Sequence, residues 1–220
     1  MPSVLVTGAS RGIGREFCRQ YLAAGWRVLA AMRDPKAALA GTVAHMLDVD
    51  DPASVTTLGR TIDEPLDLVI SNAGISGPRN DGPGNFPVEP WLQVMRTNVI
   101  GPALVADAFM PHLKRGKGRV LATISSRMGS IGALETGGRY VYRSSKAAVN
   151  MVNRLLSFDL KPQGITCIVL HPGWVRTDMG GSSAPVSPEE SVRGMRQVLD
   201  RVGPKDTGAF FNYDGTPLPW

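Results

Sequence analysis

Seven short runs of apolar, β-favouring residues recur along the 220-residue chain, separated over most of its length by segments with helical spacing. They are Val4-Leu5-Val6, Arg27 to Met32, Val43 to Leu47, Leu66 to Ile70, Arg119 to Ile124, Ile165 to Leu170 and Ala209 to Phe211. A strand that is apolar at nearly every position, rather than at every second one, has to be covered on both faces. Such strands assemble as a parallel sheet with crossover helices on either side. The expected fold class is therefore α/β: a Rossmann-type, doubly wound parallel sheet of about seven strands with helices on both faces. At ~150 residues per domain the length gives about one and a half domains, so residues 1–220 are expected to form one.

Helical patterns fall at Ile13 to Ala24, after Asp51-Pro52, at Pro90 to Lys114, at Tyr142 to Leu160 and at Pro188 to Val202. Asp51-Pro52 and Ser187-Pro188-Glu189-Glu190 each join an N-capping side chain to a proline in the first turn. Arg33 to Thr42 is too short for more than an abbreviated crossover. Two long loops rich in Gly, Pro and Ser, Ile75 to Pro87 and Trp174 to Pro188, follow strand ends, where open α/β sheets place their ligands.

Composition narrows the function classes. With 43% hydrophobic and 20% charged residues the chain is globular, and its 25 glycines and 17 prolines stay below the ~25–30% of low-complexity chains. Cys18 and Cys167 lie in apolar stretches without partners at ligand spacing, which suits a reducing, cytoplasmic location. No apolar run approaches the ~18 residues that span a bilayer, so no membrane partner is expected. The first strand and its glycine turn are read at residues 3 to 14, so no secretory leader is expected. A surplus of 24 basic over 19 acidic residues gives +5. Its densest stretch, Lys114 to Arg119, closes a helix, and no aromatic platform accompanies it, so nucleic acid is not an expected partner. His45, His112 and His171 share no ligand spacing, and no metal is expected.

The first strand runs into Thr7-Gly8-Ala9-Ser10-Arg11-Gly12-Ile13-Gly14 and then a helix. Glycines at a strand-to-helix turn remove the Cβ atoms that would block a diphosphate, and the helix start offers free N–H groups. A dinucleotide fits, although glycines at 8, 12 and 14 do not follow the general G-x-G-x-x-G spacing.

Further positions follow in order: Asn72-Ala73-Gly74 closes the fourth strand, Asn98 lies in the long helix, Ser125-Ser126 ends the fifth strand, Tyr142 and Lys146 stand one helical turn apart, and Pro172-Gly173 follows the sixth. Over essentially its whole length the sequence resembles the short-chain dehydrogenase/reductase family. It is most similar to the carbonyl-reductase and C-factor-like branch through Arg33-Asp34-Pro35, Tyr142-Arg143-Ser144-Ser145-Lys146 and Phe211-Asn212-Tyr213-Asp214-Gly215. The resemblance implies that Gly8, Gly12 and Gly14 wrap the diphosphate, with Ser10, Arg11 and Ile13 beside them. It implies that Asp48 and Val49 flank the adenine and that Asn72, Ala73 and Gly74 line the adenosine side. Thr177, after Pro172, Gly173 and Val175, would hold the nicotinamide end. Cofactor choice turns on the 2′ position of the adenosine ribose, where NADP needs a cation and NAD a carboxylate. Met32 ends the second strand and Arg33 follows it, with Arg11 as a second guanidinium, so NADP(H) is expected.

A phenol has an ordinary pKa of ~10 and must be tuned to trade protons at neutral pH. Lys146, four residues after Tyr142, shares its helical face, and at ~5 Å and an effective dielectric of ~20 its charge is worth ~3 kcal/mol, or about two pKa units of depression. Tyr142 would then act as general acid and base. By resemblance Ser126, with Ser125 as the neighbouring alternative, would hydrogen-bond the substrate oxygen. Asn98 would open its helix locally to hold a proton-relaying water, and would join Tyr142 and Lys146 at the cofactor. An enlarged loop, Arg127 to Arg139, should border a largely apolar substrate pocket with Met128 and Trp174. The expected function is NADPH-dependent reduction of a ketone or aldehyde, with the alcohol as substrate in reverse. The alternative is a non-catalytic nicotinamide-binding sensor or C-factor-like signalling protein. The two long helices carry apolar residues beyond one sheet contact, among them Phe109, Val149 and Phe158, and the resemblance suggests a homodimer or homotetramer, with a monomer still open.

Overall fold

The computed structural model describes residues 1–220. In chain order its elements are β1 (Ser3–Thr7), α1 (Gly12–Ala23), β2 (Arg27–Met32), β3 (Val43–Met46), α2 (Pro52–Thr61), β4 (Leu68–Ser71), α3 (Val88–Met95), α4 (Gly101–Arg115), β5 (Val120–Ile124), α5 (Tyr140–Leu160), β6 (Thr166–His171), α6 (Pro188–Arg201) and β7 (Ala209–Asn212). One seven-stranded sheet results, in the order β3-β2-β1-β4-β5-β6-β7, and every neighbouring pair is parallel. The chain starts near the middle, builds outward through β2 and β3, then returns to the other side of β1 with β4. That reversal leaves a crevice at the carboxyl ends of β1 and β4, the place where such sheets bind ligands.

Side-chain alternation explains the continuous apolar runs. Val4 and Val6 face a core shared with Phe17 of α1 and Met195 of α6. Leu5, between them, faces the opposite core with Val55 of α2 and Phe109 of α4. Helix starts follow their capping signals: the Asp51 carboxylate accepts from the Ala53 N–H, and the Ser187 hydroxyl from the Glu190 N–H. The crossover after β2 shortens to a 3-10 turn, Pro35–Ala37.

The local opening that the resemblance implied at Asn98 is present. The single helix expected from Pro90 to Lys114 is two helices, α3 and α4, joined by a wider π turn at Arg96–Ile100. Asn98 causes the break by turning inward. Its Oδ1 accepts from the Ile75 N–H at 2.9 Å, while its Nδ2 donates to the Ile75 carbonyl at 2.9 Å and the Ser145 hydroxyl at 3.0 Å. Among the apolar helix residues, Phe109 and Val149 prove to be core, whereas Phe158 is 61% exposed. No helix is long and apolar enough to cross a membrane. No group of three or more His, Cys, Asp or Glu side chains is arranged to hold a metal ion.

Candidate functional site

A cleft of about 880 Å³ opens at the β1/β4 switch. Gly8, Ser10, Arg11, Gly12, Ile13 and Gly14 form one end of it. Gly8 and Gly12 adopt φ of +66° and +52°, which side-chain-bearing residues rarely do, and a Cβ on Gly8 would lie 2.8 Å from the Ala73 Cα. A Cβ on Gly14 would strike the Gly8 carbonyl oxygen. Asn72 pins the turn to β4, donating to the Thr7 carbonyl at 2.9 Å and the Gly8 carbonyl at 3.3 Å. Arg11 precedes α1 without a capping side-chain hydrogen bond, so no side chain covers the first-turn N–H groups at the positive end of the helix. That end suits an anionic group, and the length of the cleft suits a dinucleotide.

The wall beyond the turn carries Arg33, Asp34, Asp48 and Val49, with Asn72, Ala73 and Gly74 along the floor. Arg33 is exposed and makes no ion pair, while the Asp34 carboxylate accepts from the Lys36 N–H. Asp48 accepts from the Asp50 N–H at 3.0 Å, so part of its acceptor capacity is spent locally. Arg11 lines the same cleft as Arg33. It reaches to Asp178 at 3.0 Å, in a pair whose side chains are both 77% exposed.

At the other end stand Tyr142, Lys146, Pro172 and Thr177. Thr177 accepts from the Gly180 N–H at 3.1 Å, which closes the turn it sits on. Gly173 and Val175 lie outside the large cleft, in the wall of a second cavity of about 540 Å³. That cavity also holds Ser126, Met128 and Trp174. The Ser126 hydroxyl accepts from the Met128 N–H at 3.1 Å. Trp174 is 56% exposed, a rim residue fixed by its indole N–H on the Gly180 carbonyl. Tyr142 lines both cavities and therefore stands where they meet. Asn98 lines neither; it lies buried behind the wall, stitched to Ile75 and Ser145.

The electrostatics differ from those expected of Lys146. Burial raises the Tyr142 phenol above its ordinary value, partly offset by a hydrogen bond with Ser126 and by the Arg139 guanidinium. The expected depression by Lys146 is absent. Its ammonium is buried, lies 5.7 Å from the ring centroid and donates to the Ile124 carbonyl at 3.0 Å. Burial pushes its own pKa down to about 8. His171, at the end of β6, is pushed down to about 4, first by burial and then by Arg127.

The second cavity also corrects the expected apolar character. Met128, Ala133, Trp174 and Val175 line it, but so do Arg79, Arg127, Arg139, Arg143 and His171. From the sequence, none of Arg139, Arg143 and His171 is placed at the substrate. The signal available for the arginines was their spacing around Tyr142, which helical geometry places on neighbouring faces once α5 is known to start at Tyr140.

Parallel strands, a glycine turn at the switch point and a tyrosine-bearing helix beside it define a Rossmann-type oxidoreductase architecture. The sequence signature of the family described as short chain dehydrogenase matches residues 2–186, and the chain belongs to that family, in its carbonyl-reductase and C-factor-like branch. The C-signal protein of Myxococcus xanthus is 45% identical over 156 residues, which cover 71% of this chain and 93% of that one. Carbonyl reductase Sniffer of D. melanogaster superposes with a TM-score of 0.93 at 34% identity, covering 100% of both chains. An NADPH-bound carbonyl reductase from chicken fatty liver gives a TM-score of 0.92 at 38% identity, over 100% of this chain and 94% of that one.

Proposed function

We propose that the protein is an NADPH-dependent reductase of ketones or aldehydes, reversible towards the alcohol, with Tyr142 as the proton donor and acceptor. The observation that carries this reading is the place of Tyr142 at the meeting of the two cavities, beside Ser126. NADPH, when bound, supplies the hydride. Gly8, Ser10, Gly12, Ile13 and Gly14 would hold its diphosphate, Asp48 and Val49 its adenine, and Thr177 with Pro172, Gly173 and Val175 its nicotinamide end. Arg33, exposed and free of carboxylate partners, is suited to a 2′-phosphate, and the chicken relative holds NADPH.

Burial keeps the Tyr142 phenol protonated at neutral pH, the state a donor needs. Ser126 hydrogen-bonds the substrate oxygen and fixes it near the phenol, stabilising charge that grows as the carbonyl is reduced. Once Tyr142 has given its proton, Arg139 and Ser126 stabilise the phenolate. Lys146, titrating at about 8, would restore the proton at neutral pH. Asn98 holds the wall behind them.

The 45% identity with the C-signal protein supports a second reading, a nicotinamide-binding sensor or signalling protein that needs no proton donor. Tyr142→Phe separates the two. It keeps the ring and removes the hydroxyl, so turnover with a carbonyl panel should fall roughly 10²- to 10⁴-fold while NADPH binding, followed by fluorescence titration, is retained. Unchanged turnover removes Tyr142 from the chemistry.

A further inference from the structure

Charge is distributed very differently in the two cavities. In the large cleft, Arg11, Arg33, Lys146 and Arg176 face four carboxylates, those of Asp34, Asp48, Asp50 and Asp178. In the second cavity four guanidinium groups face one carboxylate, Glu135. The surplus is therefore local to the substrate side. Two of the four are already engaged: Arg127 lies 3.6 Å from Glu135, and Arg79 donates to the Met179 carbonyl at 2.8 Å. Arg139 and Arg143 have no carboxylate partner, and the Nε of each is buried without any hydrogen-bond partner. Arg143 makes only a 3.3 Å contact to the Thr136 hydroxyl. The Nδ1 of His171, across the cavity, is buried and unpartnered as well.

A buried N–H of a charged group without an acceptor is costly, and two residues carrying one line this single cavity. Arg139 is moreover held in the left-handed region at φ +57°, a strained conformation for a long side chain, which keeps its guanidinium 5.5 Å from the Tyr142 ring. Arg143 follows one helical turn later on the same face. Guanidinium forks match an anionic group with two or more oxygens.

Resting on the reductase reading, we infer that the substrate is a carbonyl compound carrying an anionic group, which Arg139 and Arg143 receive while the carbonyl oxygen sits at Tyr142 and Ser126. Met128, Ala133 and Trp174 cover the carbon skeleton between the two ends. No covalent step is added to the reduction; the pair acts by binding and orientation.

The test compares an oxo-carboxylic acid, its methyl ester and the matching oxo-phosphonate as substrates with NADPH at low ionic strength. The acid or the phosphonate should exceed the ester in kcat/KM by roughly tenfold or more, chiefly through KM, and the gap should shrink in salt. Which of the two anions leads identifies the group. Arg139→Gln and Arg143→Gln, singly and together, should collapse the ratio of anion to ester towards one. Lys114→Gln on exposed α4 removes the same charge far from the cavity and should leave the ratio unchanged. Equal use of ester and anions by the wild type, or a preference that survives the double variant, overturns the inference. If no carbonyl consumes NADPH, the reductase reading fails by itself, and thermal shift then decides the anion site. A rise in Tm with the acid and not the ester, lost in the double variant, supports the site; equal shifts refute it.

Discussion

At Tyr142 burial raises the pKa while the Ser126 hydrogen bond and the Arg139 charge lower it, and burial wins. The same force acts on His171 with a consequence for stability. Its imidazole titrates at about 4 in the folded protein against an ordinary 6.5, so between those values the unfolded chain binds more protons. Stability is therefore lost as the pH falls from about 6.5 to about 4, by up to about 3 kcal/mol from this one group. Half-buried His45 is shifted in the same direction and adds to the slope. Denaturant unfolding at pH 7 and pH 4.5 should show His171→Gln losing distinctly less stability than the wild type. Equal losses would mean that His171 does not carry the acid sensitivity. At Arg33 the issue is selectivity. Arg33→Ser removes an exposed cation without a carboxylate partner, so NADPH should bind about tenfold or more weakly while NADH is little changed, read by titration of both. Loss of affinity for both cofactors alike would place the 2′-phosphate elsewhere.

The elements show which parts of a sequence can be read locally. All seven strands announce themselves as apolar runs; burial on both faces leaves its mark at nearly every position of β1, β2, β4, β5 and β6, whereas the edge strands β3 and β7 are only partly buried. The glycine turn and the Tyr142-Lys146 pair are equally visible, since backbone access and helical spacing are local properties. The π turn at Arg96–Ile100 is not visible in the periodicity, and only the family resemblance pointed to an opening at Asn98. Its cause is the pairing of Asn98 with Ile75 and Ser145, partners 23 and 47 residues away in the chain, which no periodicity encodes. The Lys146 contact with the Ile124 carbonyl and the cationic lining of the second cavity were hidden for the same reason. Asn98 therefore has a structural weight that its position in an apparent helix conceals. Asn98→Ala strands the partly buried N–H and carbonyl of Ile75 and should cost about 2 kcal/mol, lowering Tm by roughly 4–8 °C. A thermal melt within 2 °C of the wild type, about the noise expected for a neutral surface change, would show that water replaces the lost bonds.

Across the whole molecule, the last strand and the substrate loop are fastened together by the segment after β7. Leu218 donates its N–H to the Phe210 carbonyl at 2.8 Å, Phe211 forms an isolated antiparallel bridge with Pro217, and the Trp220 ring lies 5.4 Å from that of Phe210. This covers part of the sheet edge that β7 would otherwise expose. From there the segment reaches the enlarged loop: the Pro219 carbonyl accepts from the Ser130 hydroxyl at 2.6 Å, and the Trp220 carbonyl from the Gly132 N–H at 2.7 Å. Gly132 allows that approach, since a Cβ there would lie 3.1 Å from the Trp220 oxygen. The loop so held contributes Met128, Ala133, Glu135 and Thr136 to the second cavity, and nothing from the dinucleotide cleft. Loosening the segment should thus disturb one cavity and spare the other. Trp220→Ala removes an aromatic contact worth ~1 kcal/mol, so the carbonyl KM should rise roughly threefold to tenfold while the dissociation constant of NADPH stays the same. Steady-state kinetics beside a cofactor titration measures both. A variant that weakens NADPH as much as the carbonyl has lost general stability rather than a tether, and one that changes neither shows that the loop keeps its place without Trp220.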